Sequence, residues 1–250
     1  MRNGRKSFTL LEIGLILAIV GILMSLGSTC VNSIINSSYR AKAISHMRQI
    51  ALSIRQYMLE KNHPIRWKDL DEIRGENAYS TVMVAALLDK YNILKDAYIW
   101  SWERDPLVKF SSTKVPNTII DINGKIDTAY TSGKLPMSVN VIIAGNEITN
   151  DELLYNGDKI PVCYSRGLMQ TGDNPGKWDD MNETQRGVFG DDGGLVAYFD
   201  GHVEWSKEVK FLKYNDIEKT SKLYESLPQG SLTQTSETSS SVSWSGVAGL

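Results

Sequence analysis

Histidine and cysteine are scarce in this chain, three and two among 250 residues. With no C-x-x-C, no H-E-x-x-H and no paired histidines, the spacing a zinc site needs is missing, so His46 and His63 read as exposed or boundary polar residues. Cys30 and Cys163 could pair once, but nothing in their setting requires it, and each also reads as a small, unpaired hydrophobic residue. No G-x-S-x-G elbow or phosphate loop occurs, and the scattered acids have the spacing of a solvated surface, so the chain is not expected to be an enzyme. A charge excess is missing too. The formal net charge is -2, which gives no clustered basic face, and no nucleic-acid partner is expected.

Charge is also missing locally. After Arg2, Arg5 and Lys6, Glu12 is the last charged side chain before Arg40, and Ile13 to Leu26 is almost wholly apolar. As a helix, Phe8 to Leu26 would rise about 28 Å, close to the roughly 30 Å hydrocarbon thickness of a bilayer. The basic residues would stay in the cytoplasm and send the rest of the chain outward. A cleaved secretory signal peptide has a similar start, but Glu12 lies five residues into the apolar segment, where a carboxylate costs about 2.5–3.5 kcal/mol and usually carries a function. Ser25, Gly27 and Ser28 are small enough for a signal cleavage site, yet they lead straight into further helical sequence.

The run Arg5-Lys6-Ser7-Phe8-Thr9-Leu10-Leu11-Glu12 resembles the processing motif of type IV prepilins and type II secretion pseudopilins. The resemblance implies cleavage by a prepilin peptidase after Ser7, N-methylation of the new terminus at Phe8, and a role for Glu12 as the fifth-position glutamate of the mature chain. It also implies an inner-membrane assembly platform, other pilin or pseudopilin subunits and membrane lipid as partners. The residue before the cut is usually Gly in that family, and here it is Ser7. A buried carboxylate is tolerable with an opposite charge, and the Phe8 amine of an adjacent subunit would supply one and set axial register. A snorkelling carboxylate without such a partner is the alternative.

Beyond the polar Asn32–Ser38 stretch, Ala41, Ile44, Met47, Ile50, Ala51, Ile54, Tyr57 and Met58 recur at spacings of three and four, predicting that one long helix continues as an amphipathic one. Gly14, Gly21 and Gly27 permit close helix packing in lipid. The helix is expected to end near Asn62-His63-Pro64. Residues 1–7 are thus a leader, 8–28 a membrane and assembly helix, 29–62 its amphipathic continuation, 63–225 a periplasmic head and 226–250 a Ser/Thr-rich tail without structure.

Within the head, Val84, Leu87, Leu88 and Tyr91 predict a short core helix from Ser80. Tyr98 to Trp102 reads as an aromatic strand closed by Asp105-Pro106, with Trp100 and Trp102 packing the head. Ser138–Ala144 and Ile160–Tyr164 are further β-rich runs. The clearest local signal is Leu195–Phe199, Asp200-Gly201, His202–Trp205: a β-hairpin with a two-residue type I′ turn. That loop pairs Phe199 with His202 and puts Val196, Tyr198, Val203 and Trp205 on one core face. Asp200-Gly201-His202-Val203, with Gly193-Gly194 and Pro161–Leu168, resembles a late hairpin of pilin-like proteins from planctomycete and lentisphaera-type bacteria, although Gly190 stands where those often have His. Asp191 and Asp192 are oxygen donors that could take Ca²⁺, as late loops of major pseudopilins do, or form a solvated acidic turn. The fold class expected is α+β: a long N-terminal helix, its inner half transmembrane, on a small antiparallel sheet. The function expected is a pilin-like filament or pseudopilus subunit; a membrane-tethered envelope binding protein is the alternative.

Overall fold

The computed structural model describes residues 10–73, 80–131, 134–144, 148–169, 175–178, 187–213, 216–227, 232–233 and 244–245, with the side chains of 23, 25–32, 80, 224–225, 232–233 and 244–245 outside the description. Residues 1–42 and 43–250 form separate compact units. The fold is α+β. One helix, α1, runs from Leu10 to Lys61, and Asn62 ends it with a positive φ of 57°, a conformation Asn tolerates better than most residues.

In the second unit, α2 (Trp67–Leu70), α3 (Ser80–Lys90), α4 (Pro106–Phe110) and α5 (Asn150–Tyr155) surround an antiparallel sheet. The sheet is built from β1 (Val139–Ile143), β2 (Pro161–Ser165), β3 (Gly194–Tyr198) and β4 (Val203–Ser206), in the order β4-β3-β2-β1. A small hairpin, β5 (Phe211–Leu212) and β6 (Lys219–Thr220), stands apart. Two two-residue strands, β7 (Leu232–Thr233) and β8 (Trp244–Ser245), extend the sheet beyond β1. These lie in the stretch expected to lack structure, and they are the residues described after Leu227.

Both faces of the sheet are covered, which explains why β2 and β3 are buried at every position and read as continuous apolar runs instead of alternating ones. On one face, Met47, Ile50, Ala51, Ile54 and Met58 of α1 and Val82–Leu88 of α3 pack on Val139, Val141, Ile143, Leu195 and Ala197. Each Val, Leu, Ile or Met among them contributes about 1.5–3 kcal/mol on burial. The stripe on α1 follows the predicted spacing, except that Ala43 and not Ala41 is the buried alanine at its start. On the other face, Tyr164, Val196 and Tyr198 meet Leu168, Trp178, Val209, Phe211, Leu223 and Leu227. Trp178 lies so close to β3 that a Cβ on Gly194 would come within 2.5 Å of its ring, and its Nε1 donates to the Ser206 carbonyl at 2.9 Å.

Two local expectations are corrected. Tyr98–Trp102 is not a strand: Ala97–Ile99 is a 3₁₀ turn whose start is capped by Asp96, accepting from the Tyr98 N–H at 2.9 Å. The cap and the tight turn win over aromatic β-propensity because the Trp102 N–H is taken by the Ser138 hydroxyl at 2.9 Å, leaving no strand ladder to join. Trp100 and Trp102 are nonetheless buried in the head. Asp105-Pro106 opens α4, with Asp105 as N-cap to the Leu107 N–H and Pro106 in the first turn.

The hairpin exists, but its loop has three residues, not two. Ala197 pairs with Val203 and Leu195 with Trp205, while the Tyr198 N–H donates to the His202 carbonyl at 3.0 Å and the Gly201 N–H to the Tyr198 carbonyl at 2.9 Å. Type I′ needs positive φ at both central residues, and of Asp200 and Gly201 only Gly201, at φ 94°, has it. The result is a tight turn followed by a glycine bulge. The shift leaves Val203 and Trp205 on the α1 face, as expected, but puts Leu195 and Ala197 there beside them, while Val196 and Tyr198 face the other side. His202 therefore partners Tyr198, not Phe199.

At the centre of the head lies a fully buried ion pair, Asp105 with Arg166. The Asp105 carboxylate also accepts from the Ser138 hydroxyl at 2.6 Å and the Leu107 N–H at 3.0 Å, and Arg166 donates to the Met137 carbonyl at 3.3 Å. Arg166→Met would strand the carboxylate in the core and is expected to lower stability by about 3–5 kcal/mol, read from the urea midpoint. Gly201→Ala forces a side chain into positive φ and brings its Cβ to 2.9 Å from Leu52 Cδ2. Since Leu52 is exposed and can turn away, backbone strain dominates: the loss should be about 1–2 kcal/mol, and Leu52→Ala should recover little of it. Cys163 is a free, fully buried thiol, and burial pushes its pKa far up. In a Cys30→Ser background, alkylation at pH 8 should be negligible until denaturant unfolds the head, as mass spectrometry would register.

Candidate functional site

The first unit carries the surface that most needs explaining. From Leu10 to Met24, apolar side chains emerge on every side of α1: Leu10 is 91% exposed, Leu15 60%, Leu17 66%, Ile22 61%. A soluble helix keeps an apolar stripe and a polar face; a helix apolar all round belongs in an apolar medium or a protein interior. Gly14 and Gly21 lie in the same stretch with open space where a Cβ would be. Glu12 lies in the first described turn of α1. Ser7 and Phe8, the processing residues expected from sequence, lie outside the described residues. Among the described residues no helix is long and apolar enough to cross a membrane.

In the head, Asp191 and Asp192 occupy an exposed 3₁₀ turn, Gly190–Asp192, flanked by positive φ at Gly190 and Gly193. Among the described residues no group of three His, Cys, Asp or Glu side chains converges to hold a metal ion, so calcium there would rely on two carboxylates and on donors of other kinds.

Asp200 and Gly201 form the hairpin turn. Asp200 accepts from the His202 N–H at 3.0 Å and lies 2.6 Å from its Nδ1. The His202 ring stacks on Tyr198 with centroids 4.1 Å apart, and the Tyr198 hydroxyl donates to Glu204 at 3.2 Å. Burial and the Glu204 carboxylate hold that phenol well above its usual range, so it stays a donor. The turn is also pinned to α1, where Arg48 Nε donates to the Gly201 carbonyl at 3.3 Å. This arrangement locks a turn onto a helix. His46 and His63 are boundary residues: His46 sits beside Trp102, and His63 Nδ1 is 3.6 Å from Asp69. An open groove of about 370 Å³ between the 156–160 turn and the β5–β6 hairpin is lined by Lys159, Lys213 and Asp216, but Lys213 is already paired with Glu218.

Sequence reasoning missed the Asp105–Arg166 pair. Its signal was present: Arg166 stands two residues after the apolar run Val162-Cys163-Tyr164, where a charge persists only with a partner. Compared with protein-family models, with curated proteins and with solved structures, the chain has no match in any of the three.

Proposed function

We propose that this protein is a pilin-like structural subunit, anchored in a bacterial inner membrane with its head in the periplasm, cut by a prepilin peptidase after Ser7 and polymerised through its N-terminal helix into a pilus or type II secretion pseudopilus. The observation that carries the reading is the combination of Arg5-Lys6-Ser7-Phe8-Thr9-Leu10-Leu11-Glu12 with a helix, described from Leu10 to Lys61, that exposes apolar side chains all round in its first turns. A processed chain of this kind passes from membrane to filament core without changing its apolar surroundings. Glu12 is the exception in that surface, and a neighbour's Phe8 amine is the charge that makes it tolerable. The long helix laid along an α+β head supports the same reading, since it is the arrangement that the family resemblance implies. The subunit does no chemistry; its partners are the peptidase, the assembly platform, lipid and other subunits.

Intact-mass and N-terminal peptide mass spectrometry of membrane-extracted protein, with and without a co-expressed prepilin peptidase, tests the first step. The expected product lacks residues 1–7 and carries an N-methylated Phe8; an intact leader or a cut near Gly27 would leave a tethered or secreted binding protein as the better account. Glu12→Gln should abolish polymer assembly while leaving membrane insertion and the head's thermal transition unchanged. A tether would tolerate it.

A further inference from the structure

Asparagine followed by glycine is the pair most prone to losing its side-chain amide, because a residue without Cβ lets its backbone nitrogen reach the preceding side chain. The sequence carries it at 3–4, 123–124 and 156–157, and the first lies outside the described residues. The other two sit in very different surroundings.

Asn123 and Gly124 form the tip of a turn closed by the isolated antiparallel bridge between Ile120 and Ile126. Ile122, Asn123, Gly124 and Lys125 are all exposed, Gly124 has a φ of 74°, and a Cβ on it would meet nothing. One carboxylate braces the tip: Asp121 accepts from the Asn123 N–H at 2.8 Å, the Lys125 N–H at 2.9 Å and Asn123 Nδ2 at 3.3 Å. The Lys125 and Asn123 bonds hold its carboxyl below the usual range, so the brace stays charged. The Gly124 N–H donates to the Asp121 carbonyl at 3.0 Å. These bonds face water, which replaces them when the tip opens. Beneath the tip, Ile119 and Ile126 are buried and Asp89 accepts from the Ile119 and Ile120 N–H groups, so the opening stays local.

The second pair has no such freedom. Gly157 is buried, and a Cβ there would lie 3.0 Å from the Leu153 carbonyl oxygen and 3.3 Å from the Phe199 ring. Asn156 ends α5: its N–H donates to the Glu152 carbonyl at 3.0 Å, and its carbonyl accepts from the Lys159 and Ile160 N–H groups at 2.9 and 3.2 Å. The Gly157 carbonyl accepts from the Asp200 N–H at 3.1 Å. Freeing the Gly157 nitrogen would mean parting α5 from the hairpin turn.

We propose that Asn123 is a site of spontaneous deamidation, and that the folded head confines this chemistry to the 123–124 pair and protects 156–157. The Gly124 nitrogen attacks Asn123 Cγ, the new N–Cγ bond closes a succinimide, and the Cγ–Nδ2 bond breaks, Nδ2 leaving as ammonia with the Gly124 proton. Water then opens the ring at either carbonyl to give aspartate or isoaspartate, with no change in oxidation state. The product places a carboxylate where an amide had donated to Asp121, so attraction at the tip becomes like-charge repulsion. Each copy gains one negative charge irreversibly, at a rate set by opening of the tip, and the chain carries a record of its age. None of this rests on leader cleavage or on Glu12.

The test holds full-length protein in detergent at mildly alkaline pH and physiological temperature, folded and in guanidinium chloride, and maps peptides by mass spectrometry for a gain of about 1 Da. In denaturant both pairs should convert at similar rates. In the folded head Asn123 should convert at least about tenfold faster than Asn156. Equal rates in the folded head, or no gain at Asn123 while the denatured chain converts, would overturn the proposal. Asp121→Ala removes the brace and neither reacting group; it should speed the folded reaction at Asn123 severalfold and leave Asn156 unchanged. An unchanged rate at Asn123 would overturn control by the tip.

Discussion

The head is organised around a charge in a place where charge is expensive. Asp105 and Arg166 have no solvent exposure, and taking either out of water costs several kcal/mol that their mutual attraction alone does not reliably repay. What makes the pair tolerable is that other groups are already pointed at it: the Ser138 hydroxyl and the Leu107 N–H at the carboxylate, the Met137 carbonyl at the guanidinium. Those groups come from separate parts of the chain. Asp105 caps α4, Ser138 leads into β1, and Arg166 follows β2 and donates its own N–H to the Ser138 carbonyl at 2.9 Å. Three distant segments must therefore be in place together, which ties the irregular stretch from Ala97 to Phe110 to the sheet as firmly as a strand would.

A second buried carboxylate, on α3 itself, works in the same way. Asp89, 4% exposed, accepts from the N–H groups of Ile119 and Ile120, both at 3.0 Å, in a segment otherwise joined by the isolated bridges Asp96–Thr118 and Ile120–Ile126. Much of the head is irregular backbone, and side-chain acceptors replace the sheet hydrogen bonds that such backbone lacks. Both faces of the sheet are used, one by α1 and α3, the other by Leu168, Trp178 and the chain after β4.

Long-period patterns were legible in the sequence; features that depend on a distant partner were not. The spacing of Met47, Ile50, Ile54 and Met58 marks the buried stripe of α1 without reference to the rest of the fold, and the Asn62-His63-Pro64 stop is a property of those three residues. The β-rich runs at 138–144 and 160–164 fall on β1 and β2. By contrast, Tyr98–Trp102 has strand composition, and only the Ser138 hydroxyl, far away in sequence, withdraws the Trp102 N–H from a ladder. The hairpin shows how fine the margin is: Asp-Gly signals a turn, but whether the loop has two residues or three depends on whether Asp200 takes a positive φ, and its side-chain bond to the His202 N–H holds the alternative. That single residue decides which side of the sheet Tyr198 faces. In the N-terminal unit the apolar run and Glu12 were plain in the sequence, because there the surroundings and not a tertiary partner set the pattern.

The way α1 enters the head has a mechanical corollary. Between Ala43 and Met58 the helix is held by side chains interdigitated with α3 and with one face of the sheet, with the Arg48 contact to the hairpin turn alongside. A pull along the helix axis would load all of these contacts at once, in shear, instead of opening them one after another as peeling a strand from a sheet would. Met47, Ile50, Ala51, Ile54 and Met58 share that load over three turns of helix. Resistance to extraction should then scale with the length of the buried stripe, and shortening it by one turn would weaken the grip in proportion while leaving the sheet intact.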